Sequence, residues 1–462
     1  MIKHFYSNKN INEKRLILGA LFLVFLSFLI SFCFFPLITA GVFLFSAIIL
    51  FLAIKPEIGV YLMIVFLPVI NWNFDFRGLV IPFIDLITII VLTAYFLRIV
   101  YFFFFSGAEL KTIKFPVVLA FLAFFLSVSI SNFFSDNVLT DFWYSIRWIA
   151  LFYLGYLFLP INAIKSEKIL KNSLICFLIS GALVAGLGLA SLFQQDWVNE
   201  FVRVRPIGIF GVYPIGDNHN LIAEVMIVAV FFTLALKYWF ISIRSKRFIN
   251  LIVIFFVLIL LGTFSRAAWL VLLVQAIIYF LYKNRQYAKK IILPLVLSLI
   301  VLTPLAYYMV KLQSQYEIGV SSTENRLLMT EISWQAFKEK PFFGQGAGEF
   351  INLVADNIRF RAQYGAPLDS HGLGQKILAE NGVIGILAFA GFIFGIFFLI
   401  YKALKKYKND WEILLPLALG SGGIFFFEFF NTSYYKGKMW LPIAISLAAV
   451  FIIKEKYARK EN

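Results

Sequence analysis

His371 and three arginines, Arg205, Arg266 and Arg326, are the residues of this sequence best suited to chemistry. The chain has only three histidines, His4, His219 and His371. Imidazole is the one side chain whose ordinary pKa lets it take and give a proton near neutral pH. His371 closes the polar stretch Lys311–Ser370 and heads an apolar segment, a position suited to proton transfer at a membrane surface. Guanidinium groups stay charged and hold phosphate oxygens through parallel hydrogen bonds. Arg266 lies in Gly262-Thr-Phe-Ser-Arg-Ala-Ala-Trp-Leu270, between two apolar segments with almost no loop. Arg326 starts the amphipathic stretch Glu324–Lys338, and Arg205 lies in Arg203-Val-Arg-Pro-Ile-Gly208. Arginines gathered at one membrane face are what a lipid-linked diphosphate would need.

The elements that must position these groups are membrane helices. Only 14% of residues are charged and 61% are hydrophobic, against roughly 25% charged in a soluble domain. A globule of this composition would have no water-compatible surface, so the chain is an integral membrane protein. A hydrocarbon core of ~30 Å needs roughly 20 apolar residues per helix. About 14 segments approach that length, from Leu16–Phe35 to Met439–Ile453, and the shortest of them set a lower bound of about 12. Short ones include Ile58–Ile70 and Ile146–Leu159, and Ile291–Val310 precedes the polar stretch. The predicted fold class is all-α, a polytopic transmembrane bundle forming a single integral membrane domain over residues 1–462. One large outward-facing loop, residues 311–371, contains short helices. In it, Leu327, Thr330, Trp334 and Phe337 share a helix face that would rest on the bilayer or on the bundle.

Lysine and arginine placement orients the bundle. Loops carrying Lys111 and Lys114, Lys165 to Lys171, Arg244 to Arg247, Lys283 to Lys290 and Lys402 to Lys408 belong on the cytoplasmic side, with both termini. The loops around Gln195–Asn220, Lys311–Ser370 and Asn431–Lys438 then face outward. The net charge of +16 is thus spread over short loops, which is membrane topology and argues against nucleic-acid binding. Cys33 and Cys176 sit inside apolar segments and read as packing residues. The first span reads as a retained helix. No acidic pair or histidine cluster has metal-ligand spacing on the outer side, and nothing points to a cofactor. Gly344, Gly346 and Gly348 lack the spacing of a dinucleotide fingerprint and read as a turn. His219 reads as a loop or capping residue. Asp85 and Arg147, inside or near spans, need partners or water.

Three stretches together resemble the O-antigen ligase and polymerase superfamily of bacterial surface polysaccharide assembly. The first is Ser265-Arg266-Ala-Ala-Trp-Leu270. The second runs from Arg326 through Trp334, Ala336, Pro341, Gly344 and Gly346 to Gly348. The third is His371 followed by Glu380-Asn-Gly-Val-Ile-Gly385. Arg205, Gly208 and Asn220 add a weaker fourth. Gly372 and Gln375 depart from the family's small polar residue and leucine after the histidine, and His219 stands where proline is common. The resemblance implies a metal-independent, inverting glycosyltransferase of the cytoplasmic (inner) membrane, with its active site on the periplasmic or extracellular face. The donor would be a glycan on undecaprenyl diphosphate and the acceptor a hydroxyl of another lipid or glycan. Arg266 and Arg326 would hold the diphosphate, His371 would act as general base, and Arg205 would be a further contact to phosphate or sugar. The first reading is ligase-like, with a lipid A core sugar as acceptor. A repeat-unit polymerase with the same donor chemistry is the alternative. A transporter without chemistry is the alternative of another class; such proteins show inverted repeats and broken helices, and neither is legible in the sequence.

Overall fold

The computed structural model describes residues 35–76, 79–105, 113–209, 211–284, 307–308, 311, 322–429, 431 and 436–461. Helices α1 (Pro36–Ile54) and α2 (Pro56–Phe66) lead into an antiparallel hairpin of β1 (Asn73–Phe76) and β2 (Leu79–Pro82). Next come α3 (Phe83–Phe105), α4 (Val118–Asn132) and α5 (Val138–Ser145). The chain continues through π-helical turns at Ile146–Ala150 and Phe152–Phe158 into α6 (Leu159–Ala163). Then follow α7 (Glu167–Ala190), α8 (His219–Ala235), α9 (Ile243–Gly262) and α10 (Arg266–Lys283). The last group is α11 (Ser322–Glu339), α12 (Phe350–Asp356), α13 (Ile358–Tyr364), α14 (Leu373–Lys406), α15 (Trp411–Glu428) and α16 (Gly437–Glu461).

The protein is therefore an all-α, multi-pass membrane protein. Among the described residues, nine helices are long and apolar enough to span: α1, α3, α7, α8, α9, α10, α14, α15 and α16. Shorter apolar helices occupy α2, α4 and residues 152–163, where short spans are expected. Leu16–Phe35 and Ile291–Val310 lie outside the described residues, apart from Phe35, Tyr307 and Tyr308. Proline at the first position starts α1 and α2, where its missing N–H is no loss. Ser166 and Ser242 cap α7 and α9 by accepting from backbone N–H groups three residues on.

Burial separates an inner from an outer set. Within its apolar stretch α16 is 83% buried, α8 72% and α15 67%, against 11% for α1. A helix apolar on every face suits the middle of such a bundle. There Trp440 is fully buried and stacks on Phe152 with ring centres 4.5 Å apart. Asp85 accepts a hydrogen bond from Tyr156, which supplies the partner its burial requires.

Helix α14 is broken, a feature the sequence did not reveal. Gly382 has φ 61° and ψ −161°, which splits α14 into a short arm, Leu373–Asn381, and a long span. The turn after α11 fills the break. Gln345 and Gly346 N–H donate to the carbonyls of Ala379 and Glu380, both at 2.9 Å. Val383 and Ile384 N–H donate to the carbonyls of Pro341 and Phe342 at 2.9 and 3.2 Å. Backbone groups released by the break are thereby paired, as a membrane interior demands. The glycine run is a turn, and its position explains its composition. A Cβ on Gly344, whose φ is +73°, would lie 2.4 Å from the Glu380 carbonyl carbon.

Helix α11 packs through Leu328, Met329, Ile332 and Ala336 against Phe350, Val354, Phe360 and Ala379. Leu327 and Trp334 stay exposed. Of the two seats expected for the Leu327–Trp334 face, the bundle is therefore wrong, and the bilayer surface is the one left.

Candidate active site

One pocket of about 410 Å³ collects Arg205, Arg266, Arg326 and His371, and adds Arg203, Asp217, His219, Asn220, Asn325 and Asn431. The four residues singled out in the sequence come from four separate segments. Arg266 is the first residue of α10, reached from α9 through a turn in which Phe264 has φ 54°. A left-handed phenylalanine costs roughly 1–2 kcal/mol, and such strain persists only where its surroundings hold it. Here Thr263 Oγ1 donates to the Leu260 carbonyl at 2.6 Å, and Ser265 Oγ donates to Asn220 Oδ1 at 2.6 Å. The second bond ties the start of α10 to the start of α8.

His219 is the first residue of α8 and faces the pocket, while Asn218 does the capping by accepting from Asn220 N–H at 2.9 Å. The expectation of a loop or capping role for His219 is corrected accordingly. Arg205 pairs with Glu200 at 3.0 Å, and its backbone N–H donates to Ser191 Oγ at 3.1 Å. Arg326 is half-buried in the first turns of α11, whose Thr330 Oγ1 donates to its carbonyl at 2.7 Å.

His371 precedes α14, which begins after Gly372. Two contacts hold the α14 arm to α11: Gln375 Nε2 donates to Thr330 Oγ1, and Ser333 Oγ donates to the Gln375 carbonyl at 2.7 Å. Gln375, a departure from the family pattern, thus links the segment bearing His371 to the helix bearing Arg326. Lys376, only 2% exposed, lies 2.6 Å from Asp369 Oδ1 and 3.5 Å from Glu380 Oε1. Buried charges are tolerated when paired in this way. The network joins the residues before His371 to the arm after it. Sequence reasoning did not single out Lys376; the signal was a lysine and a glutamate four residues apart inside an apolar segment.

The pocket is electropositive by construction. Among the described residues that line it, four arginines face one carboxylate, Asp217. The N-termini of α8, α10 and α14 all reach its wall, and helix N-termini carry partial positive charge and unpaired N–H groups. Burial pushes the Arg326 guanidinium below its ordinary pKa, and the neighbouring Arg266 charge pushes the same way. These two cations repel each other until an anion arrives between them. Burial also lowers the His371 pKa, Arg326 lowers it further, and a hydrogen bond to the Asn431 backbone and the Asp369 charge oppose the shift. The ring is therefore neutral at pH 7. Its Nδ1 is buried and has no hydrogen-bond partner among the described residues, as does Asn325 Oδ1. A neutral imidazole beside paired arginines can remove a proton from a hydroxyl while an anionic leaving group is held.

Fold and site together define a multi-pass helical membrane protein with a cationic pocket that His371 also lines. Over residues 251–399 the chain matches the family described as O-antigen ligase. No curated protein matches the chain. The matched segment contains Arg266, Arg326 and His371, whereas Arg205 and His219 precede it.

Proposed function

We propose that this protein transfers a glycan from undecaprenyl diphosphate to an acceptor hydroxyl, in the manner of a ligase, on the outer face of the cytoplasmic membrane. Both termini then lie in the cytoplasm. The observation that carries the reading is the convergence of Arg266, Arg326 and His371 on one pocket. His371 takes the hydroxyl proton as the acceptor oxygen attacks the anomeric carbon. The bond from that carbon to the phosphate oxygen breaks, and undecaprenyl diphosphate leaves with the electron pair. Arg266 and Arg326 stabilise the charge gained on departure, and Arg205 contacts phosphate or sugar. Direct displacement inverts the anomeric carbon. Arginines and helix ends supply the compensating charge, so the reaction proceeds without a metal.

The break in α14 does not favour transport. Four of its freed backbone groups are occupied by the Pro341–Gly346 turn rather than open to a passing substrate. The test is surface-glycan analysis in a deletion strain complemented with wild type or His371→Ala at equal membrane levels. Loss of surface glycan with long lipid-linked chains accumulating supports a ligase. Accumulation of single lipid-linked repeats shifts the reading to a polymerase. Normal glycans in His371→Ala overturn the general-base role and favour a transporter.

A further inference from the structure

A buried charge cluster beneath the pocket plays no part in that chemistry. Glu224 lies in the second turn of α8, Glu428 ends α15, and Lys438 lies in the first turn of α16. Lys438 Nζ is 2.5 Å from Glu224 Oε2 and 3.4 Å from Glu428 Oε1. Side-chain exposure is 11% for Lys438, 3% for Glu224 and 0% for Glu428. Ionisable groups inside a membrane bundle are costly, and they mark function when they persist.

The placement of the cluster gives it a task. It joins the start of α16 to the ends of two helices at the pocket, α8 and α15. Helix α8 begins at His219, and α15 is followed by Asn431; both residues line the pocket wall. Asn431 N–H donates to the Glu428 carbonyl at 3.3 Å, and the Asn431 backbone accepts a hydrogen bond from the His371 ring. Contacts therefore run without a gap from Lys438 through Glu428 and Asn431 to the proposed base. Without the ammonium group, Glu224 of α8 and Glu428 of α15 lose the cation that ties them together.

We propose that Lys438 is a positioning residue: its bridge to Glu224 and Glu428 fixes the Asn431 turn that sets the orientation of the His371 ring. The proposal rests on the reading of His371 as the base. The charged groups around the ring are Arg326 of α11, Arg266 of α10, Arg203, Arg205 and Asp217 of the segment before α8, and Asp369 on its own segment. Of these, Arg326 and Asp369 act on its titration. Lys438 is not among these groups, and Lys436, which feels Lys438, Glu428, Glu224 and Asp369, is kept in every variant, so a change at the ring after loss of Lys438 is read as passing through the turn.

The test uses the full-length protein in detergent with labelled histidine. With three histidines in the chain, the His371 signal is assigned by its loss in His371→Ala. In Lys438→Met the ring signal is expected to move and its titration midpoint to fall, because the Asn431 bond favours the protonated ring. The turnover number for lipid-linked donor should fall about tenfold or more, the loss of one oriented hydrogen bond, with KM unchanged. Lys438→Arg should restore both. If Lys438→Met does not fold, the triple variant Glu224→Gln, Lys438→Met, Glu428→Gln, which removes all three groups of the bridge, is measured in its place and read the same way. An unmoved ring titration overturns the proposal, even if transfer is lost, since Lys438 would then only hold helices together. Full transfer by His371→Ala refutes the base, and the ring titration then decides positioning on its own.

Discussion

Replacing Gly344 by alanine tests how the broken helix holds the site. Gly344 has φ +73°, and a Cβ there would meet the carbonyl carbon of Glu380 at 2.4 Å and the N of Asn381 at 2.5 Å. Neither atom belongs to a flexible side chain, so the turn or the α14 arm must shift. The left-handed backbone alone costs alanine roughly 1–2 kcal/mol. The shift also disrupts the Gln345 and Gly346 bonds to Ala379 and Glu380, and each buried polar group left unpaired costs about 1–3 kcal/mol. The sum is on the order of 3–8 kcal/mol. Gly365 is the control: its φ is +76°, yet nothing lies within 4 Å of its Cβ position. Gly365→Ala should cost only the conformational term, roughly 1–3 kcal/mol at its ψ of −114°. The assay is thermal unfolding in detergent, followed by transfer from a lipid-linked donor at matched folded protein. Gly344→Ala should melt well below Gly365→Ala and transfer poorly, because the arm it displaces follows directly on His371. Equal melting and equal transfer in the two variants would refute the account of the break.

Three further outcomes follow from the electrostatics. Because the base must be neutral, the rate should fall as pH drops through the lowered His371 pKa; Arg326→Gln removes a charge that lowers it, so its acid limb should move to higher pH, while its rate falls about 10²–10³-fold. Lys376→Met leaves Asp369 and Glu380 without their shared cation and should destabilise the fold by about 3–5 kcal/mol, whereas Lys376→Met with Glu380→Gln should recover part of that loss in the same melting assay. Asp141, beside the Gly346 backbone, has its pKa raised to about 6, chiefly by burial. A carboxyl raised above its ordinary 3.8 favours the fold most below that value, and the contribution is lost as pH rises through about 6. Asp141→Asn should therefore melt higher than wild type above pH 6 and no higher near pH 3.8; a constant difference across that window would sink the assignment.

Much of the bundle was legible because bilayer physics acts locally. A span needs only a run of apolar residues, so α7, α8, α9, α14 and α15 appear where the apolar segments lie. Residue type likewise marked Arg266, Arg326 and His371, because few side chains bind phosphate or move protons at neutral pH. The hairpin Asn73–Pro82 was not legible, since its four-residue strands sit at the edge of an apolar run that reads as helix. The seat of the α11 face was left open by the sequence, because hydrophobicity does not tell which side packs inward; the structure leaves Leu327 and Trp334 exposed.

The sequence by itself determined that this chain lives in a membrane, which side chains could do chemistry, and that they stand at the ends of apolar segments. Only the tertiary structure decided that Arg205, Arg266, Arg326 and His371 share one pocket. It also decided that Gly382 breaks α14, because the Pro341–Gly346 turn supplies partners for the released backbone groups. The bridges of Lys376 to Asp369 and of Lys438 to Glu224 and Glu428 belong to the same class. The reason is common to all three. A buried charge or an unpaired backbone group is admissible only with a partner, and the distant segments supplying many of those partners are brought close by folding alone.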